Sequence, residues 1–225
     1  MRAADQKGTD VDELFETLGR IGLIPVVRID DPAGAGRLAE ALMVGGLPCA
    51  EITFRTAGAA EAIRRIADGY PDLMLGAGTV LQPDQAQQAV DAGARFIVSP
   101  GFTRPVVEWC QRAGVPVIPG VATPTEVLMA MEYGLSTLKV FPAEALGGVS
   151  LLEAMAAPFA GVKFVPTGGI SAANLVSYIE LPVVLAVGGS WMVAPKLLAS
   201  DRFDEVTRLS REAVDIVARS RGGRA

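Results

Sequence analysis

The sequence predicts an α/β protein: a single (β/α)8 TIM barrel with an extra N-terminal helix. Short apolar runs alternate with amphipathic segments from residue 11 onward, which is typical of repeated strand–helix units. Eight such units follow one another at a spacing of roughly 20–26 residues, and an unbroken series of this kind favours closure into a barrel. An open doubly wound sheet is the alternative.

The elements follow in order along the chain. The extra helix, residues 11–20, precedes the first strand and is expected to cover the N-terminal end of the barrel. The predicted strands are 23–29, 49–54, 74–80, 95–100, 115–121, 137–142, 163–167 and 183–187. The predicted helices between and after them are 33–44, 59–67, 83–92, 105–113, 124–133, 150–156, 172–179 and 203–218. Pro83, Pro105 and Pro124 lie near helix starts, where a fixed φ is tolerated.

We expect one domain over residues 1–225, with a core of about 11–219 and tails at 1–10 and 220–225. The chain has the length of an ordinary single barrel, and 50% of its residues are hydrophobic, so the core should be generous. The net charge of −5 argues against nucleic acid or an anionic membrane as the main partner. A locally positive site for a small anion stays possible on such a chain.

The N-terminus is polar and lacks the apolar segment of a secretory signal. No apolar run reaches the ~20 residues that a membrane span needs. The chain has no histidine and only two cysteines, Cys49 and Cys110, which form no C-x-x-C pattern. With so few ligands of this kind, we expect no structural zinc site. The absence of a signal sequence and the low cysteine count favour a cytoplasmic protein with reduced thiols.

Lys139 lies in the apolar run TLKVFP, with no carboxylate within four residues on either side. An apolar site favours the neutral amine over the ammonium form of a lysine, and a neutral amine attacks carbonyl carbon to form a Schiff base. Strand alternation places Leu138 and Val140 on the opposite face, so Lys139 is expected to point into the barrel. The structural alternative is a lysine whose stem packs while its head reaches water.

Glu51 is the second inward ionisable residue. In the strand that ends AEITFRT, alternation sends Ala50, Ile52 and Phe54 outward, and Glu51 inward together with Thr53 and Arg55. The structural alternative is an ion pair of Glu51 with Arg55 or Lys139. Because the chain lacks histidine, Glu51 is the natural proton carrier beside a lysine nucleophile.

Paired glycines follow the seventh and eighth strands, in PTGGI and VGGSW. Barrels often bind phosphate with these two loops, because glycine lets backbone N–H groups approach an anion. Ser190 could add a hydroxyl, whereas a glycine pair alone usually marks only a tight turn. The substrate is therefore predicted to be phosphorylated. Arg55 and Thr79 could hold a substrate carboxylate, and Pro100 is expected to shape the pocket wall.

Six motifs together resemble a known family. They are EITFRT from Glu51, GAGTVL from Gly76, SPGFT from Ser99, KVFPAE from Lys139, PTGGI from Pro166 and GGSW from Gly188. Over about residues 14–218 the chain closely resembles the 2-keto-3-deoxy-6-phosphogluconate (KDPG) aldolases, which often also act on 4-hydroxy-2-oxoglutarate.

The resemblance implies a homotrimer of barrels and a class I aldolase that needs no metal or cofactor. It makes Lys139 the Schiff-base residue and Glu51 the acid and base, with Arg55 and Thr79 on the pyruvyl carboxylate. Pro100, Phe141 and Thr167 match pocket-lining positions. The implied phosphate-binding set is Gly168, Gly169, Gly188, Gly189 and Ser190. The expected ligand is a phosphorylated 2-keto acid.

Three rival interpretations stay open. The preferred substrate could be the 6-phosphogalactonate epimer or unphosphorylated 4-hydroxy-2-oxoglutarate. The chain could instead be an isomerase or synthase barrel that forms no imine. From a different class, it could be a non-catalytic barrel that binds a sugar phosphate.

Overall fold

The computed structural model describes residues 2–222, with side chains described from Val11 onward. The strands are β1 Leu23–Val27, β2 Cys49–Thr53, β3 Met74–Gly78, β4 Phe96–Val98, β5 Val117–Ile118, β6 Gly120–Val121, β7 Thr137–Val140, β8 Lys163–Pro166 and β9 Val187–Gly189. The helices are α1 Arg2–Ile21, α2 Ala35–Val44, α3 Ala59–Gly69, α4 Pro83–Asp91, α5 Arg104–Ala113, α6 Pro124–Glu132, α7 Gly148–Ala156, α8 Leu175–Ile179, α9 Pro195–Ala199 and α10 Phe203–Gly222. Short 3₁₀ turns cover Pro32–Gly34, Glu144–Leu146 and Trp191–Val193.

The strands pair in parallel, which confirms the predicted α/β class. One sheet has the order β5-β4-β3-β2-β1-β9, and the other has the order β6-β7-β8. The predicted fifth strand is divided into β5 and β6 at Pro119, because proline has no N–H for the strand ladder. The Pro119 carbonyl still accepts a hydrogen bond of 2.9 Å from the N–H of Lys139.

Two apolar clusters lie on the two faces of the strands. The larger cluster contains Ala50, Ile52, Leu138 and Val140 and packs under the helices, which confirms the predicted alternation on β2 and β7. The smaller cluster contains inward residues of the strands, Cys49 among them, together with Leu14 and Leu18 of α1. Helix α1 therefore packs on the interior side of the strands.

Several helices begin where the sequence predicts. Helix α6 starts at Pro124 and carries a capping box, in which Thr123 Oγ1 accepts from the N–H of Glu126 and Glu126 Oε2 accepts from the N–H of Thr123. Helix α4 starts at Pro83. Such boxes satisfy backbone donors that a helix start leaves free.

Other boundaries differ from the prediction. Strand β9 covers Val187–Gly189 rather than 183–187, because pairing with β1 overrides the low strand propensity of glycine. Helix α7 begins at Gly148 and α8 at Leu175. The latter starts late because Asn174 first closes a turn with the N–H of Ser171.

The predicted tails are partly helical. Helix α1 begins at Arg2 and α10 continues to Gly222, so helical backbone extends into both predicted tails, 1–10 and 220–225. Residues 1 and 223–225 lie outside the described range. Within that range, none of the helices combines the length and apolar character needed to cross a membrane.

Candidate active site

Lys139 and Glu51 form a buried ion pair. The Lys139 Nζ atom donates to Glu51 Oε1 over 3.2 Å, and the two side chains are only 5% and 3% exposed. They come from β7 and β2, 88 residues apart in the chain. Strand alternation turns both inward, and the fold supplies the partner that the local sequence around Lys139 lacks. This contact is also what the structural alternative for Glu51 predicted.

Burial and the Glu51 carboxylate affect the pKa of Cys49, which lies on the same face of β2 as Glu51. Cys49 lies two positions earlier on β2 and is fully buried. Burial, and then the nearby Glu51 carboxylate, raise the pKa of the Cys49 thiol far above its usual range. Both effects disfavour a second negative charge at this place, so Cys49 stays a neutral thiol beside the ion pair.

Arg55 and Thr79 meet just beyond the carboxyl ends of β2 and β3. Arg55 Nε donates to Thr79 Oγ1 over 3.3 Å, as expected if the two residues share one ligand. Thr79 has a φ of +55°, a left-handed conformation that is costly for a β-branched residue. Backbone strain of this kind clusters at functional sites.

A cavity of about 360 Å³ opens at the same ends of the strands. Its lining includes eight predicted site residues: Arg55, Phe141, Thr167, Gly168, Gly169, Gly188, Gly189 and Ser190. The Phe141 ring connects this cavity to the ion pair, since Lys139 Nζ lies 5.6 Å from the ring centroid. The charged residues that line the cavity are both arginines, Arg28 and Arg55, which suits an anionic ligand.

The first glycine loop lines the cavity and carries backbone N–H groups without a hydrogen-bond acceptor in the described part of the chain. Gly168 and Gly169 have φ values of +100° and +80°, which glycine adopts at no steric cost. The Gly168 carbonyl accepts from the N–H of Glu144 over 3.1 Å, and the Gly169 carbonyl accepts from Asn174 Nδ2 over 3.3 Å. The N–H groups of Gly168, Gly169 and Ile170 have no acceptor among residues 2–222, as in backbone sites that bind anions.

The second loop has no room for side chains at its glycines. A Cβ atom at Gly188 would lie 2.2 Å from Thr167 Oγ1. One at Gly189 would lie 2.1 Å from the ring of Trp191. Both distances are far below a carbon contact, so glycine is required at both positions. The close approach also brings the Thr167 side chain against β9, to which a parallel bridge joins it.

Four predicted residues are not among those that line the cavity. Lys139 and Glu51 lie buried, and Thr79 reaches the cavity through Arg55. The backbone of Pro100 lies close to β6: its carbonyl would lie 2.2 Å from a Cβ atom at Gly120. Gly120 is in turn the register partner of Lys139. The predicted place of Pro100 in the pocket wall stays a prediction.

Five lining residues are not among the predicted site residues: Val26, Arg28, Thr53, Ile170 and Pro195. Of these, Thr53 is predicted to point inward but is given no role. Arg28 follows β1 directly, so the rule that selected Arg55 beyond β2 could have found it. Its guanidinium contacts Asp30 at 3.1 Å on the surface. In the side chains from residue 11 to 222, no three carboxylates or thiols converge as ligands for a metal ion.

A family model and the curated relatives both match this chain to aldolases. Residues 14–209 match the aldolase family described as KDPG and KHG aldolase. The chain is 52% identical over 204 residues to a 2-dehydro-3-deoxy-phosphogluconate aldolase of Treponema pallidum (strain Nichols), a match that covers 91% of this chain and 97% of the relative.

Solved structures resemble the fold closely. A KDPG aldolase of Legionella pneumophila, with pyruvate captured as a covalent carbinolamine, has a TM-score of 0.84 and 40% identity over 87% of this chain and 97% of its own. The aldolase of Zymomonas mobilis ZM4 with 3-phosphoglycerate has a TM-score of 0.83 and 39% identity, covering 90% and 95% of the two chains. A structure described as native KDPGal has a TM-score of 0.80 at 27% identity, covering 89% and 96%. Because the family match covers residues 14–209 and the Treponema relative is 52% identical, the chain belongs to the KDPG and KHG aldolase family.

Proposed function

We propose that the protein is a class I aldolase that cleaves KDPG to pyruvate and glyceraldehyde 3-phosphate through a Schiff base on Lys139. The observation that carries this proposal is the buried contact of 3.2 Å between Lys139 Nζ and Glu51 Oε1, next to a cavity lined by two arginines and unpaired amides. The pair supplies a nucleophile and a proton carrier, and the cavity supplies anchors for an anionic substrate.

The reaction begins with a proton transfer from Lys139 to Glu51, which leaves a neutral amine and a carboxylic acid. The amine attacks the C2 ketone of the substrate to give a carbinolamine, and protonation of its hydroxyl by Glu51 releases water. The product is a protonated imine whose nitrogen withdraws electrons from the bond between C3 and C4. Glu51 is again a carboxylate at this stage.

Cleavage uses Glu51 as the base. The carboxylate takes the proton of the C4 hydroxyl, the C3–C4 bond breaks, and its electron pair moves toward the imine nitrogen. Glyceraldehyde 3-phosphate departs and an enamine stays on Lys139. Glu51 returns its proton to C3, and water hydrolyses the protonated imine, which releases pyruvate and restores the Lys139 ammonium beside the Glu51 carboxylate. The imine serves as the electron sink, so the mechanism uses neither a metal nor a cofactor.

The proposed substrate has a carboxylate at one end and a phosphate at the other, and both negative groups need a binding site in the cavity. Arg55 and Thr79 are proposed to bind the pyruvyl carboxylate, because they already share a hydrogen bond at the edge of the cavity. The amides of Gly168, Gly169 and Ile170, with Gly188, Gly189 and Ser190 opposite, are proposed to bind the phosphate. Phe141, Thr167 and Pro100 would shape the space between. Arg28 adds positive charge at the same cavity.

The comparisons support these two ends separately. Pyruvate forms a covalent carbinolamine in the Legionella enzyme, and the Zymomonas enzyme binds 3-phosphoglycerate. A purely structural ion pair would satisfy the contact between Lys139 and Glu51 but would not explain its position beside a cavity with unpaired amides. Buried pairs contribute little net stability, so a chemical role accounts better for its presence.

Two further substrates follow from related proteins. 4-hydroxy-2-oxoglutarate is proposed as a second substrate, since it is the compound abbreviated as KHG in the family description. The galactonate epimer is the alternative substrate, and the similarity to the native KDPGal structure is the reason to consider it. The identity to that structure is 27%, against 39% and 40% for the two KDPG aldolase structures, so we propose KDPG as the preferred substrate.

Borohydride trapping tests the proposal. Reduction in the presence of pyruvate should leave an adduct on Lys139, and mass spectrometry of a digest locates it. No adduct, or an adduct on the exposed Lys163, would contradict the assignment. A pyruvate-release assay with KDPG, its C4 epimer and 4-hydroxy-2-oxoglutarate ranks the substrates. Ligand binding without turnover would instead support the non-catalytic barrel.

We further propose that the two sheets close into one eight-stranded barrel that forms a single domain over the whole chain, with α1 as its extra N-terminal helix. The divided fifth strand joins the sheets at one end, with β5 in one and β6 in the other. Parallel bridges between Phe164 and Val184 and between Thr167 and Gly188 support contact at the other end. Neither sheet reverses its strand order, as a doubly wound sheet does.

A homotrimer in the cytoplasm completes the proposal. Helix α6 exposes the apolar side chains of Leu128, Met129 and Met131, a grouping that suits a subunit contact. Cys49 and Cys110 are both free thiols, which suits a reducing compartment. Light scattering during size-exclusion chromatography should give three times the chain mass, and a monomeric mass would contradict the trimer.

A further inference from the structure

We propose that Tyr178 and Glu144 are positioning residues for substrate phosphate, since their hydrogen bond holds the Gly168–Gly169 loop in its anion-binding shape. Tyr178 lies in α8, after the loop, and is fully buried. Its hydroxyl donates to Glu144 Oε1, in the 3₁₀ turn that follows β7. The inference rests on the proposed function and adds residues that touch neither the substrate nor the reacting atoms.

The loop lies between the two partners. On one side the N–H of Glu144 donates to the Gly168 carbonyl over 3.1 Å. A Cβ atom at Gly169 would lie 2.5 Å from Glu144 Cβ, so the Glu144 side chain packs directly on the loop. On the other side the chain passes through the Asn174 turn into α8 and Tyr178. A bond from Tyr178 back to Glu144 therefore closes a ring of contacts around Gly168 and Gly169.

The surroundings are shaped for this bond. A Cβ atom at Gly148 would lie 3.1 Å from the Tyr178 hydroxyl and 3.2 Å from Glu144 Oε1, and its φ of +62° excludes most side chains. Burial, and then the Glu144 carboxylate, raise the pKa of Tyr178 above its usual range. The phenol thus stays protonated and remains a donor throughout the working pH range of a protein.

The same turn connects the two ends of the site. Glu144 follows Lys139 by five residues, with Phe141 between them, and a Cβ atom at Gly168 would lie 3.3 Å from the Phe141 ring. A loop fixed to Glu144 is thereby fixed relative to the proposed nucleophile. Binding geometry of this kind affects affinity for the phosphate more than it affects the chemistry at C2.

The test compares a phosphorylated substrate with an unphosphorylated one. Tyr178→Phe keeps the ring and removes the donor. We expect KM for KDPG and the inhibition constant of inorganic phosphate to rise ~10-fold, the cost of one hydrogen bond to a charged group. We expect kcat/KM for 4-hydroxy-2-oxoglutarate, and borohydride trapping of pyruvate, to stay at wild-type levels. Glu144→Ala should act like Tyr178→Phe, and Glu144→Gln should behave as wild type because its amide oxygen still accepts.

The chain offers a matched control. Tyr133 OH donates to Glu108 Oε1 over 3.2 Å, the same pair of groups away from the loop, so Tyr133→Phe should leave every constant unchanged. Combining Tyr178→Phe with Glu144→Ala should add nothing to either change alone, since both remove one interaction. If Tyr178→Phe does not fold, Glu144→Ala, whose side chain is exposed, gives the same readout.

The inference is overturned if Tyr178→Phe and Glu144→Ala leave phosphate inhibition unchanged, or if they weaken both substrates equally. A wild-type protein that cleaves neither substrate overturns the proposed function itself and this inference with it. A wild type that cleaves KDPG but is not inhibited by inorganic phosphate overturns the inference and leaves the aldolase function standing. A wild type that cleaves KDPG and is inhibited by phosphate, beside unaffected variants, refutes the positioning role alone.

Discussion

Gly78 leaves the space that the Glu51 carboxylate occupies: a Cβ atom there would lie 1.9 Å from Oε1 and 2.5 Å from the carboxyl carbon. Gly78→Ala must therefore displace Glu51 from Lys139. We expect pyruvate release to fall by ~10²–10⁴-fold, the usual contribution of a positioned acid or base, while the fold persists by circular dichroism.

Gly36→Ala is the matched control for Gly78→Ala, because a Cβ atom at Gly36 in α2 meets no atom within 4 Å. It should keep full activity. Turnover near the wild-type level in Gly78→Ala would show that the Glu51 position can shift without cost, and Glu51 would lose its proposed role.

Removing one partner of the buried pair should cost stability as well as activity. Lys139→Met leaves the Glu51 carboxylate buried without its cation, and such a loss typically costs about 3–5 kcal/mol. Adding Glu51→Gln removes the stranded charge, so the double variant should regain most of that free energy of unfolding. Urea unfolding of the wild type, Lys139→Met, Glu51→Gln and the double variant measures this double-mutant cycle. Equal stability of the single and double variants would contradict a fully desolvated pair.

Both thiols should resist modification in the folded protein. Burial raises the pKa of the Cys110 thiol to about 12, and that of Cys49 is raised further by burial and by Glu51. A raised pKa means that the thiolate is scarce at pH 8, at ~10⁻⁴ of Cys110 or less. Ellman's reagent should detect no thiol before denaturation and two after it. A fast-reacting thiol in the folded state would refute the buried placement.

The same shifts set the sign of an alkaline effect. The folded state holds the thiol protons more tightly than the unfolded chain, so their contribution is complete below the unfolded pKa of about 8.5. It is lost as pH rises toward 12 for Cys110. Cys110→Ala should therefore be less sensitive to alkali than the wild type in unfolding titrations between these values.

Arg221 joins the two ends of the chain. Its guanidinium donates to the carbonyls of Gly19 and Arg20 at the end of α1, and to the Leu185 carbonyl over 2.9 Å. Arg221→Ala should lower the free energy of unfolding by about 1–3 kcal/mol, because helix-end carbonyls lose a charged donor. Thermal and urea unfolding measure the change, and KDPG cleavage should be unaffected.

Arg219→Ala provides the comparison, since Arg219 bonds within its own helix, to the Asp215 carbonyl. It should change stability by no more than a few tenths of a kcal/mol, about the size of a surface effect. If Arg221→Ala and Arg219→Ala are equally stable, the hydrogen bonds of Arg221 to α1 do not contribute to stability.

Local pattern was enough to find much of this protein. Alternation on β2 and β7 identified Glu51 and Lys139 as inward-facing, because outward positions must be apolar to pack under helices. Their direct contact was one of two pairings that the sequence left open for Glu51, since the choice depends on how strands 88 residues apart are placed. The role of Gly78 was missed for the same reason: its neighbour, Glu51, belongs to another strand. The shifted β9 was not predicted because its pairing with β1 overrides local propensity, and the short helix α9 was not predicted either.

Asn174 shows a different limit. Its side chain delays the start of α8 and restrains the Gly169 carbonyl, yet in the sequence it is one polar residue in an ordinary helix start. Short polar side chains compete with helix hydrogen bonds, and only the fold reveals which bond wins. The loop that the glycines mark could be predicted, whereas the residues that hold its carbonyls away could not.

The burial of Lys139 also acts as a filter. A reactive amine on the surface could condense with any aldehyde that diffuses past, and each such adduct would occupy the amine until it hydrolysed. Here the amine is 5% exposed and engaged by a carboxylate until a ligand arrives, and the adjoining cavity is lined by arginines and bare amides. Carbonyl compounds without negative charge gain little by entering. Burial thereby shields the proposed nucleophile from stray carbonyls before any step of the proposed reaction begins.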